Sequence, residues 1–338
     1  MKRIFSMVAV MLIALLVVGC GSPAPAEEPE GKALKTGFAV ISSVAKSMPA
    51  GAEAGLAQAD STAVGVLVDA DGVIVKCVID AVQTKINFGA DGKITTPMDT
   101  IVPTKIELGT DYGMSAVATV GEWNEQITAF ASYVEGKTLE QVMAIAVDET
   151  SAPTDAELTS SVTIKIGGYL AAIEKAVTNA EDMGAMEGDT LGLGIFTNIS
   201  HSKDATAEAE GVAQAYSIYS LSTFNADGVI TSSVLDGSQC NVNFDTAGMI
   251  TTDLAAPLMT KNELGDDYGM KKASAIGAEW NTQAASFAAY TVGKTVEEVT
   301  GVALTEDGVT TDADLVTSVT VGVDSFYLAL EKAFAAAK

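Results

Sequence analysis

Histidine and cysteine are nearly absent from this chain of 338 residues, and each scarcity excludes a class of site. His201 is the only histidine, which rules out multi-histidine metal sites and leaves a Ser/His/Asp triad without a supporting motif. Cys77 and Cys240 lie in the body of the chain, at unmatched positions of an internal repeat. We therefore expect two buried free thiols and no disulfide framework.

Basic residues are also scarce, with 19 lysines and arginines against 44 acidic residues. Loss of Lys2 and Arg3 with a cleaved leader would leave 17 basic residues beside the same 44 acidic ones, a formal charge of −27. Such a surface repels phosphate backbones and anionic lipid head groups. We expect neither nucleic-acid binding nor electrostatic docking to a membrane.

The first residues have the pattern of a bacterial lipoprotein leader. Lys2 and Arg3 precede an apolar run at residues 4–18, which is too short to span a bilayer, and Gly19 then precedes Cys20. We expect residues 1–19 to be a signal peptide and Cys20 to become the lipidated N-terminus. Residues 20–33 are rich in Pro, Gly and Glu and read as a tether. The expected location is the outer face of the cytoplasmic membrane, with Cys20 as the anchor.

The rest of the chain consists of two copies of one pattern. The polar segment at residues 104–114 returns at residues 260–270, and each copy is followed by Glu-Trp-Asn. Because the period far exceeds that of solenoid repeats, we expect two domains with separate cores. The predicted class is α+β, with repeats at residues 34–180 and 189–338. Each repeat is expected to be an antiparallel β-meander with two to three helices packed on it.

Turn residues punctuate β-branched runs in both copies. Residues 63–68 and 73–79 flank an Asp-Ala-Asp-Gly turn and predict a hairpin. A second turn at residues 89–92 is expected to join residues 85–88 to 93–95. A short strand near residues 37–44, or 194–200 in the second copy, is expected at a sheet edge.

Helical spacing follows the polar segment. Trp123 begins a run of apolar residues at intervals of three and four, which predicts an amphipathic helix. Thr138 with Gln141, and Thr295 with Glu298, match the capping box that begins the next helix. Residues 155–166 fit either a strand or a helix capped by Ser160, and terminal helices are expected at residues 168–179 and 325–337.

The matched polar loops have two interpretations. In the structural one, glycines form turns and Lys pairs with Glu at the surface. In the functional one, a Tyr ring offers a stacking face, a Trp lies across it and a Lys meets an anionic group. The candidate ligand-binding residues of the loops are Lys105, Tyr112 and Trp123, and their counterparts Lys261, Tyr268 and Trp280. No nucleophile with a base and an orienting partner is evident, so a hydrolytic enzyme is the least favoured of the functions considered.

The Asp-Tyr-Gly-Met loop, the Glu-Trp-Asn-x-Gln helix and Gly-Lys-Thr-x-Glu resemble uncharacterised tandem-repeat lipoproteins of anaerobic Firmicutes. More distantly, the strand order and the Glu-Lys-Ala near each terminal helix end are similar to the FMN-binding domain of extracytoplasmic flavoproteins. In that family a Ser-Gly-Ala-Thr segment holds the flavin through its Thr. Here the Gly-Ala is replaced by Ser-Val in both copies. The resemblance implies FMN as a cofactor and adds four candidate residues: Ser161, Thr163, Ser318 and Thr320.

These observations predict a lipid-anchored extracytoplasmic binding protein with a flavin-binding or redox-related role. The expected partners are the membrane, through Cys20, and a small-molecule ligand or a surface protein. The alternative is a structural or adhesive surface module without a small-molecule ligand.

Overall fold

Long β-branched runs separated by an Asp-x-x-Gly turn form the first sheet. In the computed structural model, which describes residues 31–338, strands β1 (Ala33–Ser43), β2 (Gly55–Val68) and β3 (Ile74–Phe88) pair antiparallel in sequence order. Gly72 closes the β2–β3 turn at a φ of +79°, which favours glycine because a side chain is strained there. The leader, Cys20 and most of the tether lie outside the described residues.

The second copy repeats this meander with the same register. Strands β5 (Thr190–Asn198), β6 (Gly211–Phe224) and β7 (Ile230–Phe244) form a three-stranded sheet. Ser222 pairs with Ser233 between β6 and β7, as Val66 pairs with Cys77 between β2 and β3. The antiparallel strands and the helices confirm the predicted α+β class.

The segment expected to be a domain boundary is instead a strand. Strand β4 (Glu181–Met186) pairs antiparallel with β1, so the first sheet has the order β3-β2-β1-β4. This placement also corrects the expectation for the short first strand of each copy. β1 lies inside its sheet, and only its counterpart β5 lies at a sheet edge as expected. Because most side chains of β4 are exposed, the hydropathy of this segment does not indicate a strand.

Helices follow each meander in the same order. In the first copy these are α1 (Lys105–Leu108), α2 (Trp123–Val134), α3 (Leu139–Met143), α4 (Ala156–Thr159) and α5 (Gly167–Thr178). In the second they are α6 (Lys261–Leu264), α7 (Trp280–Thr291), α8 (Val296–Thr300) and α9 (Asp324–Ala336). The amphipathic helix at Trp123, the capping boxes of α3 and α8 and the terminal helices are confirmed.

Two details differ from the sequence expectations. The expected turn at residues 89–92 does join the two segments, but as one isolated bridge between Phe88 and Ile94 with a few flanking hydrogen bonds and not as two regular strands. In the ambiguous segment, Asp155 rather than Ser160 caps a helix, because its carboxylate accepts from the amides of Glu157 and Leu158. Ser160 lies at the C-terminal end of that short helix.

The elements stack in four layers, with helices outside and the two sheets face to face. Each sheet packs its outer face on its own helices. The inner faces of the two sheets share two apolar clusters, in one of which Phe88 stacks on Phe244 with ring centroids 4.2 Å apart. Residues 31–338 form one compact unit, in which each copy has its own cluster between sheet and helices and the copies share two further clusters, so two separate domains are not observed. The reason is that both faces of each sheet are apolar, and the helices cover only one of them.

Candidate functional site

A buried aspartate behind each matched loop binds the start of the loop's short helix. Asp80 on β3 accepts hydrogen bonds from the backbone N–H groups of Ala81 (2.7 Å) and Ile106 (3.2 Å). Asp236 on β7 does the same for the residue after it and for Asn262. Burial raises the pKa of each aspartate to about 6, although these hydrogen bonds oppose the shift. Neither aspartate was identified from the sequence. An aspartate at the same position of an apolar strand in both copies could have indicated them.

The Lys, Tyr and Trp of each loop do lie together, as the functional interpretation requires. The Lys105 ammonium lies 4.7 Å from the ring centre of Tyr112 and 5.1 Å from that of Trp123. The rings of Tyr112 and Trp123 meet edge to face at 6.5 Å. The ammonium therefore makes cation–π contacts with the rings that the functional interpretation offers to a ligand.

The second copy encloses its lysine more completely. The Lys261 ammonium lies 4.9 Å from the ring centre of Tyr268, 4.7 Å from that of Trp280 and 4.6 Å from that of Tyr216, and it donates a hydrogen bond of 3.2 Å to the Tyr216 hydroxyl. Lys261 is 3% exposed. Burial lowers its pKa to about 8, against the opposing effect of Asp236.

A single strand position accounts for the difference between the two lysines. Tyr216 lies opposite Gln239 in the β6–β7 ladder, and Asp60 lies opposite Gln83 at the same place in the β2–β3 ladder. Asp60 has no ring to place beside Lys105, which is only half-buried, and its carboxylate pairs instead with Lys46 at 2.8 Å. We call the rings around Lys105 the first cage and those around Lys261 the second cage. The third ring of the second cage, that of Tyr216, was not predicted because Tyr216 is distant in sequence from the loop.

The glutamate of each Glu-Trp-Asn motif binds the end of its loop. The Glu122 carboxylate accepts from the amides of Met114 (2.9 Å) and Ser115 (2.8 Å). Glu279 accepts matching bonds at 2.8 Å in the second copy. Hydrogen bonds, led by those of Ser115, lower the pKa of Glu122. These carboxylates bind backbone amides, and that role accounts for their presence in both copies.

The hydroxyl-bearing segments proposed from the flavoprotein resemblance have partners within the protein. The Thr163 amide and hydroxyl donate to Gln126 Oε1 at 2.8 and 3.2 Å, and Thr320 binds Gln283 in the same way. Ser161 and Ser318 donate to backbone carbonyls one turn earlier. The glutamines belong to the repeated Glu-Trp-Asn-x-Gln motif, which was the available sequence signal for this contact.

Two ion pairs join the copies reciprocally. Lys332 on α9 lies 2.6 Å from Glu107 of the first loop, and Lys175 on α5 binds Glu263 of the second. The loop glutamates thus pair with lysines of the opposite copy, and not with the lysine two residues before them. This contact also explains the Glu-Lys-Ala segment that recurs near the end of both terminal helices.

Concave surfaces lie beside the outer edge of each meander. The cavity between β3 and α2 has a volume of about 190 Å³, and the one between β7, β4 and α7 has about 620 Å³. Among the described residues, no group of three or more His, Cys, Asp or Glu side chains is placed to hold a metal. Cys77 and Cys240 are buried and free, as predicted.

Comparison of the chain with family models, curated proteins and solved structures found no match. No helix within residues 31–338 is long and apolar enough to cross a bilayer.

Proposed function

We propose that the chain is a lipid-anchored extracytoplasmic binding protein that performs no chemistry of its own. The proposed location rests on the leader pattern, in which Lys2 and Arg3, a short apolar run and Gly19 precede Cys20. The body of the chain is proposed to derive from two copies of one α+β unit, packed sheet to sheet. The equal registers of the two meanders support this duplication.

The observation that carries the binding role is the cavity of about 620 Å³ beside β7. Its volume lies within the range of typical ligand pockets, which is about 300 to 1,000 Å³. The matched loops offer less to a ligand, because Lys105 and Lys261 already lie on their ring faces. We therefore place the ligand site in the second copy, along β7, and away from the clusters of Lys, Tyr and Trp side chains in the loops.

Flavin binding at the loops would require internal contacts to break. The lysines would leave their rings, and Thr163 and Thr320 would release Gln126 and Gln283. Intact mass and visible absorbance of the purified mature protein test this point. We expect no covalent flavin; a flavin mass adduct that maps to either threonine would overturn the placement of the site along β7.

Anchoring is tested by labelling. A bacterial host that processes lipoproteins should incorporate radiolabelled palmitate into the wild-type chain but not into Cys20→Ser. The wild type should fractionate with membranes and remain accessible to protease added to spheroplasts. Palmitate incorporation equal to that of the variant, or full protection from protease, would contradict the proposed location.

The reciprocal ion pairs favour a second candidate, a structural surface module in which the matched loops only join the two copies. It predicts that substitutions along β7 change no binding property. Binding measured at that edge therefore separates the two candidates.

A further inference from the structure

The outer edge of β7 differs from that of β3 in one respect that bears on binding. In the first copy the Cys77 amide points away from the sheet and donates to Glu135 Oε1 at 3.1 Å. Glu135 is the residue that follows α2. We call the cavity between β3 and α2 the first groove and the cavity between β7, β4 and α7 the second groove. The edge amide of the first copy is therefore satisfied by a carboxylate that lies across the first groove.

The second copy lacks this carboxylate. Ser233 has the position of Cys77 in the ladder, since it pairs with Ser222 as Cys77 pairs with Val66. Val292 follows α7 as Glu135 follows α2, and a valine side chain accepts no hydrogen bond. The Ser233 amide therefore faces the groove without the acceptor that its counterpart has.

The side chains that line the two grooves also differ, and those of the second groove are again less polar. Thr128, Ser132 and Glu135 line the first groove. Their counterparts in the second are Ala285, Ala289 and Val292, and the cavity there is about three times as large, at 620 Å³ against 190 Å³. One outward carbonyl of the edge, that of Leu235, accepts from Asn262 at 2.8 Å, which confirms that this edge can form hydrogen bonds. The second groove thus joins an open strand edge to an apolar wall of small side chains.

Charge indicates what can occupy the groove. Glu181 and Asp182 of β4 are exposed on its rim, and none of the residues that line it is basic. The chain as a whole is strongly acidic, so an anionic occupant would be repelled. A partner with positive charge near its ends would be attracted to this rim.

We propose that the groove binds an extended peptide segment, which adds to β7 as a further strand centred on Ser233, next to the Leu235 carbonyl that Asn262 already occupies. Main-chain hydrogen bonds at Ser233 hold the peptide, and alternate side chains, small and apolar, pack against Ala285, Ala288 and Ala289. Basic residues of the segment lie beside the acidic rim. This inference rests on the proposed binding function and specifies its ligand.

The test uses the full mature chain and a defined peptide library. The library consists of seven-residue peptides with Lys at both ends and Ala, Val, Ile or Thr at the five inner positions. Binders are identified by mass spectrometry after capture on the immobilised protein, and their affinity is measured by fluorescence anisotropy. Val292→Glu gives the second groove the carboxylate of the first, and we expect it to weaken binding by about tenfold or more, since it occupies one edge amide and narrows the groove.

Two controls separate strand addition from other modes of binding. Glu135→Val changes the first groove only and should leave the affinity within about twofold of the wild type. Methylation of alternate peptide nitrogens, which removes donors without changing side chains, should abolish binding. Wild-type affinity of the methylated peptide, or equal affinity for Val292→Glu and wild type, would overturn the proposal.

A failure of this proposal is distinguishable from a failure of the binding function. If no library peptide binds, the peptide assignment is overturned. A screen of small organic cations by thermal shift, on the wild type and Val292→Glu, then decides whether the groove binds another ligand. Shifts lost in the variant would retain the groove as a binding site, and no shift in either protein would overturn the binding function as well.

Discussion

At the scale of single residues, the two cage lysines show how one additional aromatic ring changes the burial of an ammonium group. Lys105 has two aromatic neighbours and is half-buried, whereas Lys261 has three and is 3% exposed. Cation–π contacts stabilise both ammonium groups, but burial of Lys261 removes its hydration. The second cage therefore contains a cation whose protonation is coupled to folding.

Lys261 should make stability rise with pH in the alkaline range. Its pKa is about 8 in the folded protein and near the ordinary 10.5 when unfolded, so between these values the unfolded chain binds more protons. From about pH 8 to pH 10 the free energy of unfolding should increase by on the order of 1 to 2 kcal/mol relative to Lys261→Met. Urea unfolding at several pH values measures it.

The matched control for this prediction is Lys105→Met, which removes the half-buried lysine of the first cage. Because this variant retains Lys261, its free energy of unfolding should still rise from about pH 8 to pH 10. Parallel profiles of the wild type and Lys261→Met would contradict the coupling.

The two buried aspartates should act in the acidic range with the opposite slope. The pKa of Asp80 and of Asp236 is about 6 in the folded protein and near 3.8 when unfolded, so the folded state binds more protons between these values. Stability from this source should fall as pH rises from about 4 to 6. In Asp80→Asn/Asp236→Asn, which keeps the acceptor oxygens, this fall should be absent from urea midpoints. A fall equal to that of the wild type would show that other groups cause it.

At the scale of elements, one glutamine in each copy joins the amphipathic helix to the segment before the terminal helix. Gln126 is fully buried, and its Oε1 accepts from the amides of Thr163 (2.8 Å) and Ile164 (3.1 Å). Gln283 makes the same contacts with Thr320 and Val321. This contact orients a segment that has little regular structure of its own.

Removal of this glutamine should be costly. Gln126→Ala leaves two partly buried amides without their acceptor and removes a fully buried side chain, which should destabilise the protein by about 1 to 3 kcal/mol, and Gln283→Ala should cost a similar amount. Chemical denaturation measures both. The control is Gln141→Ala, at an exposed capping position, which should cost less than about 1 kcal/mol. Equal costs at the buried and exposed positions would refute the role given to Gln126.

The capping signals show which elements can be predicted from sequence. Thr138 and Gln141 begin α3, and Trp123 begins α2, because hydrogen bonds and apolar contacts within a turn or two decide these boundaries. β4 was missed because its side chains are mostly exposed, and its pairing with β1 depends on a distant strand. Residues 155–166 combine both cases, because Asp155 caps α4 through local contacts, whereas Gln126 binds the part that follows from a distant helix.

At the scale of the whole molecule, the two copies share their interior. Two apolar clusters contain residues of both sheets, and Phe88 stacks on Phe244 where the copies meet. Reciprocal ion pairs add to this contact, but partly exposed pairs contribute little, typically about 0 to 1 kcal/mol. Apolar burial between the sheets should therefore dominate the coupling of the copies.

Unfolding should be a single cooperative transition for both copies. Each copy contains one tryptophan, so Trp280→Phe reports the first copy through Trp123, and Trp123→Phe reports the second through Trp280. In each variant the fluorescence midpoint in urea should coincide with the far-ultraviolet circular dichroism midpoint. A fluorescence transition that precedes or follows the loss of secondary structure would show that the copies unfold independently.

The site was predictable to the extent that its contacts are local or repeated. The sequence indicated that Lys105, Tyr112 and Trp123 act together, and they do lie together. Tyr216 and the partner of Glu107 were not predictable, because one comes from a neighbouring strand and the other from the opposite copy.

The sequence by itself determined the internal repeat of its pattern, the acidic charge, the α+β class and most helix starts, since these depend on composition or on contacts within a few residues. Only the tertiary structure decided that the two sheets pack face to face, that β4 joins the first sheet and that the loops pair with the opposite copy. The physical reason is that an apolar sheet face requires burial but does not specify against which surface. That choice depends on the shape and charge of the whole chain.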